Sequence, residues 1–268
     1  MHPSLGPKIG EGATADVHAW GAGRVVKLYK AGTPRRLCVH EVRVTRAIYA
    51  AGGLAPEVFE ELSIEGRAGV VMARLDGPTL IQTMKSEAVS YTHAGAVLAG
   101  CLHAVHAAPP PSCLMRLRDY VVSSLQRNRG TLSERISAGL VELIDQLSPG
   151  DGLCHGDPNP GNVIMTAEGP KLIDWIAALR APPGFDLASA HVMLTELAPH
   201  TSDNPERPRA VNAAMQTAYA GLAGASPAEL AATVTPYLPV VRALALLSGA
   251  VPAHAARLVQ HLEADFPA

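Results

Sequence analysis

The chain has 268 residues, which is enough for one large domain or for two lobes. Hydrophobic residues make up 48% and charged residues 17% of it, a composition that predicts a packed globular protein and excludes a disordered one. The net charge is −2 and there is no basic tract, so nothing indicates nucleic-acid binding.

The cysteines Cys38, Cys101, Cys113 and Cys154 are scattered without a Cys-x-x-Cys spacing. They predict reduced, mostly buried thiols of a cytoplasmic protein, and not a disulfide set or a zinc site. The first residues lack the basic and apolar regions of a signal peptide. The apolar segment 237–251 carries Arg242 and is too short to span a bilayer, so we predict a buried helix there and no membrane partner.

Residues 9–17 form a small-residue loop between two apolar, strand-like runs. In this loop Gly10, Gly12, Ala13 and Thr14 leave room for backbone N–H groups to approach phosphates closely. A lone Gly-x-Gly is a weak signal, and an ordinary hairpin turn is the alternative. Ala15 stands where the third glycine of a Gly-x-Gly-x-x-Gly pattern would be.

Residues 24–29 predict a strand in which Lys27 is flanked by apolar residues. Thr33-Pro34 predicts the cap of a helix that runs to about residue 51 and ends at Gly52-Gly53. Glu41 falls on the apolar face of this helix, where an unpaired carboxylate is costly. An ion pair between Lys27 and Glu41 would satisfy both burials, whereas the alternative for Lys27 is a surface lysine.

Residues 57–64 and 68–75 predict two further strands joined by a turn at Glu65-Gly66. Together with the earlier strands they make a small antiparallel sheet carrying one helix. Residues 75–78 (Leu-Asp-Gly-Pro) break the pattern and predict a connection between an N-terminal lobe, 1–76, and a helical C-terminal lobe, 77–268.

The second lobe is predicted to be mainly helical. Helices are expected at 79–85, 90–107, 114–129, 131–147 and 186–197, and after the caps at 204–205 and 226–229. Asp186 is expected to cap its helix and to brace the loop at 155–162. His93, His103 and His106 are interpreted as structural or exposed, because no carboxylate or cysteine cluster accompanies them in the sequence.

The most informative stretch is 153–175. Asp157 and Asn162 share one short loop, and a hairpin predicted from 163 to 173 brings Asp174 back beside it. Oxygen ligands of this kind suit magnesium bound together with substrate phosphates. Asp157 is left free to accept a proton from an attacking hydroxyl. These are the groups that phosphoryl transfer requires.

His155-Gly156-Asp157 with Asn162, Ile173-Asp174-Trp175 and Phe185-Asp186-Leu187-Ala188 together resemble the aminoglycoside phosphotransferase and choline kinase-like family. The resemblance implies an α+β, two-lobed protein kinase-like fold. It also implies an ATP-dependent enzyme, with ATP or another nucleoside triphosphate and Mg²⁺, that phosphorylates a hydroxyl of a small molecule.

The resemblance further implies roles for individual residues. Asp157 would be the catalytic base, Asn162 and Asp174 the metal ligands, and Lys27, held by Glu41, the group that binds the inner phosphates. The loop 10–15 would cover the phosphates. Met72, Arg74 and Leu75 would lie at the hinge between the lobes, against the adenine of the nucleotide. Arg74 and Asp76 have an alternative as solvated charges.

The acceptor is not named by the sequence. The resemblance implies that the helices within 114–147 help to wall its pocket, where Glu134, Glu142 and Asp145 could face a cationic acceptor. A solvated helix face is the alternative for each. An aromatic content of 4% argues against a choline cage, and a net charge of −2 neither supplies nor forbids the acidic pocket that an aminoglycoside needs.

Three other functions compete. A protein kinase is disfavoured because residues 177–184 form only a short linker and no Ala-Pro-Glu follows it. A non-catalytic nucleotide-binding protein of the same fold would be expected to lack one or more of four residues, and all four are present: Lys27, Asp157, Asn162 and Asp174. A metallohydrolase built on His155 and Asp157 needs further ligands that the sequence does not supply.

Overall fold

The computed structural model describes residues 4–147, 149–200, 202–249 and 251–267. The strands are β1 (Lys8–Glu11), β2 (Ala15–Ala19), β3 (Arg24–Tyr29), β4 (Val58–Ile64), β5 (Arg67–Ala73), β6 (Gly152–Cys154), β7 (Val163–Thr166), β8 (Gly169–Leu172) and β9 (Leu179–Ala181). The helices are α1 (Arg35–Gly52), α2 (Leu80–Lys85), α3 (Tyr91–Ala107), α4 (Leu117–Arg127), α5 (Glu134–Gln146), α6 (Pro183–His191), α7 (Glu206–Ala223), α8 (Pro227–Val234), α9 (Leu238–Ser248) and α10 (Ala255–Asp265).

The N-terminal sheet is antiparallel, with the strand order β1-β2-β3-β5-β4. Successive side chains of a strand point to opposite faces, so β3 contributes to two apolar clusters. Tyr29 packs with residues of α1 on one face, while Val26 packs with Trp20 on the other. Lys27 shares the face of Tyr29 and is therefore directed toward α1.

The helix α1 follows the sequence prediction except at its beginning. Pro34 occupies the N-cap position without a side-chain hydrogen bond, so the predicted cap by Thr33 is wrong. Thr33 instead donates its hydroxyl to the Thr14 carbonyl over 3.4 Å. The helix ends as predicted, because Gly53 adopts the left-handed conformation that closes helices (φ 70°).

The rest of the chain is mainly helical and adds two small sheets, β6-β9 and β7-β8. Its core is centred on α3 and α7. A Cβ at Gly95 of α3 would lie 2.5 Å from the Val211 carbonyl oxygen of α7, so the glycine is what lets these helices approach closely. The α+β kinase-like fold is confirmed, whereas the boundary at residues 76 and 77 stays a prediction.

Several predicted elements differ in detail. The linker 177–184 contains the strand β9, which pairs with β6. Asp186 lies in the first turn of α6 and does not cap it, since Pro182 is the N-cap residue. The helix predicted through residue 197 changes after His191 into a π-helical segment, Val192–Leu197.

The helical run Pro227–Ser248 is long and apolar enough to cross a membrane by those two criteria. The prediction that the late apolar segment is too short therefore does not hold for this longer run. Core helices meet the same criteria, and Arg242 in this run pairs with Glu196 at 2.6 Å and with Asp265 at 2.8 Å. These partners favour a helix packed within the protein.

Candidate active site

Lys27 forms the ion pair that the sequence predicts. Its Nζ lies 2.7 Å from Glu41 Oε1 and 3.0 Å from Asp174 Oδ1. Tyr29 donates its hydroxyl to the other oxygen of Glu41. Burial lowers the pKa of Lys27, but the charges of Glu41 and Asp174 raise it more, so the lysine stays protonated. A cation is thereby held at the interface of the sheet with the hairpin β7-β8.

The loop after β6 presents Asp157 between two amides. Asn159 Nδ2 donates to Asp157 Oδ1 over 3.0 Å, and Asn162 Nδ2 donates to Asp157 Oδ2, also over 3.0 Å. The two bonds fix the direction of the carboxylate. Because Asn162 uses its amide nitrogen here, its Oδ1 is left without a hydrogen-bond partner among the described residues.

Asp186 supports this loop from below. Its carboxylate is buried and accepts the backbone N–H groups of His155 (2.7 Å) and Gly156 (2.8 Å). Gly156 itself has φ 84°, and a Cβ there would lie 2.2 Å from the Ala177 carbonyl oxygen. Only glycine fits this turn, which sets the direction in which Asp157 leaves it. The expectation that Asp186 braces the loop is confirmed.

His155 and Ile173 connect the two halves of the site. His155 Nε2 donates to the Ile173 carbonyl over 3.0 Å, and the Ile173 N–H donates to the Asn162 carbonyl over 2.9 Å. The His155 ring is buried and packs against Trp175 at a centroid distance of 4.6 Å. Asp157, Asn162 and Asp174 are therefore held at one end of the hairpin, and His155 has a structural role.

The residues predicted as metal ligands fit a hard divalent cation. Asp174 adopts a left-handed conformation (φ 64°, ψ 61°), and its side chain is 39% exposed. Within the part of the chain that the structure describes, Asp174 Oδ2 and Asn162 Oδ1 have no hydrogen-bond partner. Two such oxygens, with water and phosphate completing the shell, are the kind of donor set that Mg²⁺ takes.

The conformation of the loop at residues 10–14 does not itself require glycine at position 10 or 12. Gly10, Gly12, Ala13 and Thr14 lie on β1 and in the turn before β2, and all but the half-buried Gly10 are exposed. Neither glycine has a positive φ, and a Cβ at Gly10 or Gly12 would meet its nearest neighbour at 3.5 or 3.6 Å, an ordinary contact. The fold would thus accept side chains at both positions. What the glycines provide is an uncovered backbone.

The predicted hinge residues follow β5. Met72 pairs with Val25 in the sheet and is half-buried, as is Leu75. The Arg74 N–H donates to the Gly23 carbonyl over 3.0 Å, and its guanidinium pairs with Asp76 at 2.7 Å on the surface. This pair corresponds to the alternative of solvated charges.

His106 has the structural role that was predicted for it, but the reason given for that prediction was wrong, because the fold brings Cys154 and Asp186 next to it. The three ligand atoms lie within 4.8 Å of one another. Each is already bonded: His106 to Tyr219 (2.7 Å) and to Asp186 (3.2 Å), and the Cys154 thiol to the Ala181 carbonyl (3.5 Å). Burial raises the pKa of Cys154 well above its usual value, so the thiol stays protonated. The cluster is a structural support below the loop.

A cavity of about 560 Å³ opens beside the loop that carries Asp157 and Asn159, and the sequence did not indicate it. Its walls come from α2, the start of α3, the loop itself, the π-helical segment and the start of α7. They are formed by Ile81, Met84, Lys85, Tyr91, Asn159, Pro160, Met193, Leu194, Ala198, Ser202, Asp203, Arg207, Pro208 and Val211. These residues are scattered over 130 positions of the chain, so no local motif could have revealed them.

The helices α4 and α5, which are predicted to help wall the acceptor pocket, do not line this cavity. None of the residues lining the cavity at Asn159 comes from α4 or α5. Asp145 pairs with Arg118 at 2.5 Å on the surface, and Glu142 accepts a bond from Gln146. Glu134 lines a different cavity, between α4 and α5. The expectation that these acidic residues face the acceptor is not supported by this cavity.

The model of the phosphotransferase enzyme family matches residues 7–230, and the chain therefore belongs to this family. The resemblance inferred from the motifs is confirmed. A search of curated proteins finds no match.

Solved structures share the fold. A choline/ethanolamine kinase family protein from Mesorhizobium loti has a TM-score of 0.66 and 16% identity over 98% of this chain and 88% of that one. An aminoglycoside-3′-phosphotransferase of type VIII has a TM-score of 0.56 and 21% identity, covering 86% and 91%. ADP-bound aminoglycoside phosphotransferase APH(2″)-Ib has a TM-score of 0.58 and 16% identity, covering 97% and 92%.

Proposed function

We propose that this protein transfers the terminal phosphoryl group of a nucleoside triphosphate to a hydroxyl group of a small molecule. The observation that carries the proposal is the linkage of Lys27, Asp174, Asn162 and Asp157 into one hydrogen-bonded arrangement through Ile173. Phosphoryl transfer needs positioned charges more than covalent chemistry, and this arrangement supplies both signs of charge in fixed places.

Each residue has a distinct part in the proposed reaction. Asp157 accepts the hydrogen bond of the acceptor hydroxyl, orients it and takes its proton as the new P–O bond forms. Lys27 contacts the inner phosphates, and Glu41 holds the lysine in place. The uncovered backbone around Gly10 and Gly12 lies over the phosphates.

Asn162 and Asp174 would hold Mg²⁺ through Asn162 Oδ1 and Asp174 Oδ2. When bound, the ion neutralises phosphate charge and orients the phosphates. The bond between Lys27 and Asp174 has a consequence for binding: the lysine must share or leave this carboxylate when the nucleotide and its metal arrive.

Two further features support a small-molecule acceptor. Only residues 175–182 separate Asp174 from α6, which leaves no long segment to form a platform for a protein substrate. The cavity at Asn159 is of a size that suits a small molecule. Among the structures of similar fold are an aminoglycoside phosphotransferase with ADP and streptomycin and another with ATP and streptomycin.

The test is transfer of labelled phosphate from ATP or GTP, with magnesium, to a panel of hydroxylated molecules. The panel contains aminoglycosides, macrolides, choline, ethanolamine, homoserine, sugars and hydroxy acids. We expect a labelled product whose rate of formation falls at least about 100-fold in the Asp157→Asn variant, because the base is lost. Nucleotide affinity should remain within about twofold of wild type, since Asp157 contacts the acceptor.

Asp119→Asn is the matched control, because Asp119 is exposed on α4 and lines neither cavity. It should leave the rate of transfer unchanged. Equal turnover in wild type and Asp157→Asn would remove Asp157 from the mechanism. Nucleotide binding without any transfer would favour the non-catalytic nucleotide-binding protein.

A further inference from the structure

The cavity beside the catalytic loop reaches the proposed base. Asn159 lines the cavity, and its amide donates to Asp157 Oδ1 over 3.0 Å. A molecule that fills the cavity therefore lies one side chain away from the carboxylate that would accept its proton. The chemistry of the walls then selects the acceptor, if the proposed function is right.

Most of the wall is apolar. Ile81 and Met84 of α2, Met193 of the π-helical segment and Val211 of α7 line the same space. Ile81 is 38% exposed and lines the cavity, so its side chain is accessible to a molecule that enters. A fully polar molecule such as a sugar would leave this surface unused.

The charged groups of the wall are two cations and one anion, Lys85, Arg207 and Asp203. Among the described residues, neither cation has a carboxylate within 4.0 Å, whereas Arg67, Arg180 and Arg242 each have one at hydrogen-bond distance. The Arg207 guanidinium lies over the Tyr91 ring, 5.5 Å from its centroid, which holds it at the wall. The cavity therefore carries a net positive charge in a protein whose total charge is −2.

We propose that the acceptor is an amphipathic hydroxylated molecule with an apolar body and an anionic group, such as a carboxylate. Its apolar body packs on Ile81, Met84 and Met193. Lys85 and Arg207 bind its anionic group, and its hydroxyl reaches Asp157 past Asn159. A polycationic aminoglycoside is rejected, because one carboxylate faces it while two cations repel it. The inference rests on the proposed function and names its substrate class.

The test measures binding, so that it does not depend on catalysis. Several rigid aryl scaffolds bearing a hydroxymethyl group are each prepared as the carboxylic acid, the primary amide and the aminomethyl analogue. Affinities are measured by calorimetry on the full chain with ADP and magnesium, and kanamycin serves as the polycation. We expect the acid to bind most tightly in each set, the amide next, and the amine and kanamycin weakest.

Two charge variants locate the effect. Lys85→Gln/Arg207→Gln should weaken binding of the acid about fivefold, the scale of two exposed ion pairs, and leave the amide unchanged. Arg209→Gln is the matched control, because Arg209 lies two residues from Arg207 on α7, pairs with Glu206 at 2.6 Å and does not line the cavity. It should leave all affinities unchanged.

The proposal is overturned if the amine or kanamycin binds as tightly as the acid, if no set binds, or if the Arg209 control loses as much affinity as the double variant. The outcome of the transfer assay does not depend on these binding results. Preferential binding of the acids without phosphorylation would refute the proposed function and leave the specificity of the cavity established.

Discussion

The proposed site has two parts that are built in opposite ways: a phosphate end around Lys27 and Asp174, and an acceptor end at the cavity lined by Asn159. At the phosphate end, Lys27 is paired with Glu41 and Asp174, and the loop carrying Asp157 is bound to the buried Asp186. At the acceptor end, Lys85 and Arg207 are exposed, and no carboxylate among the described residues pairs with them. At the phosphate end the charged groups are paired with other groups of the protein, whereas at the acceptor end unpaired charges and apolar surface are available to a ligand.

This difference separates chemistry from specificity. Groups that must hold phosphate charge in place are fixed by mutual ion pairs and backbone bonds, since catalysis by positioning tolerates little movement. Groups that select the acceptor need no partner in the free protein. We therefore expect substitutions at the phosphate end to lower both stability and activity, and substitutions at the acceptor end to change affinity alone.

The largest effect is expected for Lys27→Met. The change leaves Glu41, which is 2% exposed, without its cation, and a buried unpaired carboxylate costs about 3–5 kcal/mol in the free energy of unfolding. Transfer should fall at least about 100-fold, because the cation on the phosphates is lost. Chemical denaturation and the transfer assay measure the two effects.

Lys27→Met/Glu41→Gln separates stability from activity. The neutral glutamine can still accept the Tyr29 hydroxyl, so most of the lost free energy of unfolding should return while transfer stays absent. If the double variant regained activity, Lys27 would act only as a structural partner of Glu41, and the phosphate end would lose its defining cation.

A second test applies the same substitution to both ends. Asp186→Ala leaves the buried N–H groups of His155 and Gly156 without an acceptor, which should lower the free energy of unfolding by about 3 kcal/mol. Asp203→Ala removes an exposed carboxylate and should change it by less than about 0.5 kcal/mol. Similar losses at the two positions would abolish the contrast between the ends.

The same contrast explains what could be predicted from the sequence. Asp157 and Asn162 lie in the loop before one hairpin and Asp174 follows that hairpin, so their convergence follows from local turn and strand signals. The pair of Lys27 with Glu41 was predictable because each residue alone would be a costly burial on its element. At the phosphate end, local turn and strand signals and the cost of burying unpaired charges were therefore enough to predict which residues come together.

The acceptor cavity could not be predicted in this way. Its walls join Ile81 of α2 to Val211 of α7, which meet only through tertiary packing. Likewise, Cys154 and Asp186 accompany His106 only in the folded chain, so the absence of such a cluster in the sequence was misleading. The spacing of residues in the sequence predicts which side chains are neighbours within one helix or strand, whereas the members of both sets are spread over several elements.

A smaller loss of stability than at Lys27 or Asp186 is expected at Glu196, which lies in the π-helical segment that also provides Met193 and Leu194. Burial raises the pKa of Glu196, but its hydrogen bonds and proximity to Arg242 and His261 lower it more, so its pKa in the folded protein is below the unfolded value of about 4.3. The stability that ionised Glu196 contributes is therefore present above about pH 4.3 and is lost as the pH falls through the pKa of Glu196 in the folded protein.

Glu196→Gln should lower the free energy of unfolding by about 2 kcal/mol near pH 7. The free energies of unfolding of wild type and variant should converge as the pH is lowered below about 4. Denaturant titrations across this range measure the difference. A constant difference down to low pH would mean that Arg242 does not hold Glu196 ionised, and the segment would then resemble the loosely bonded acceptor end more than the phosphate end.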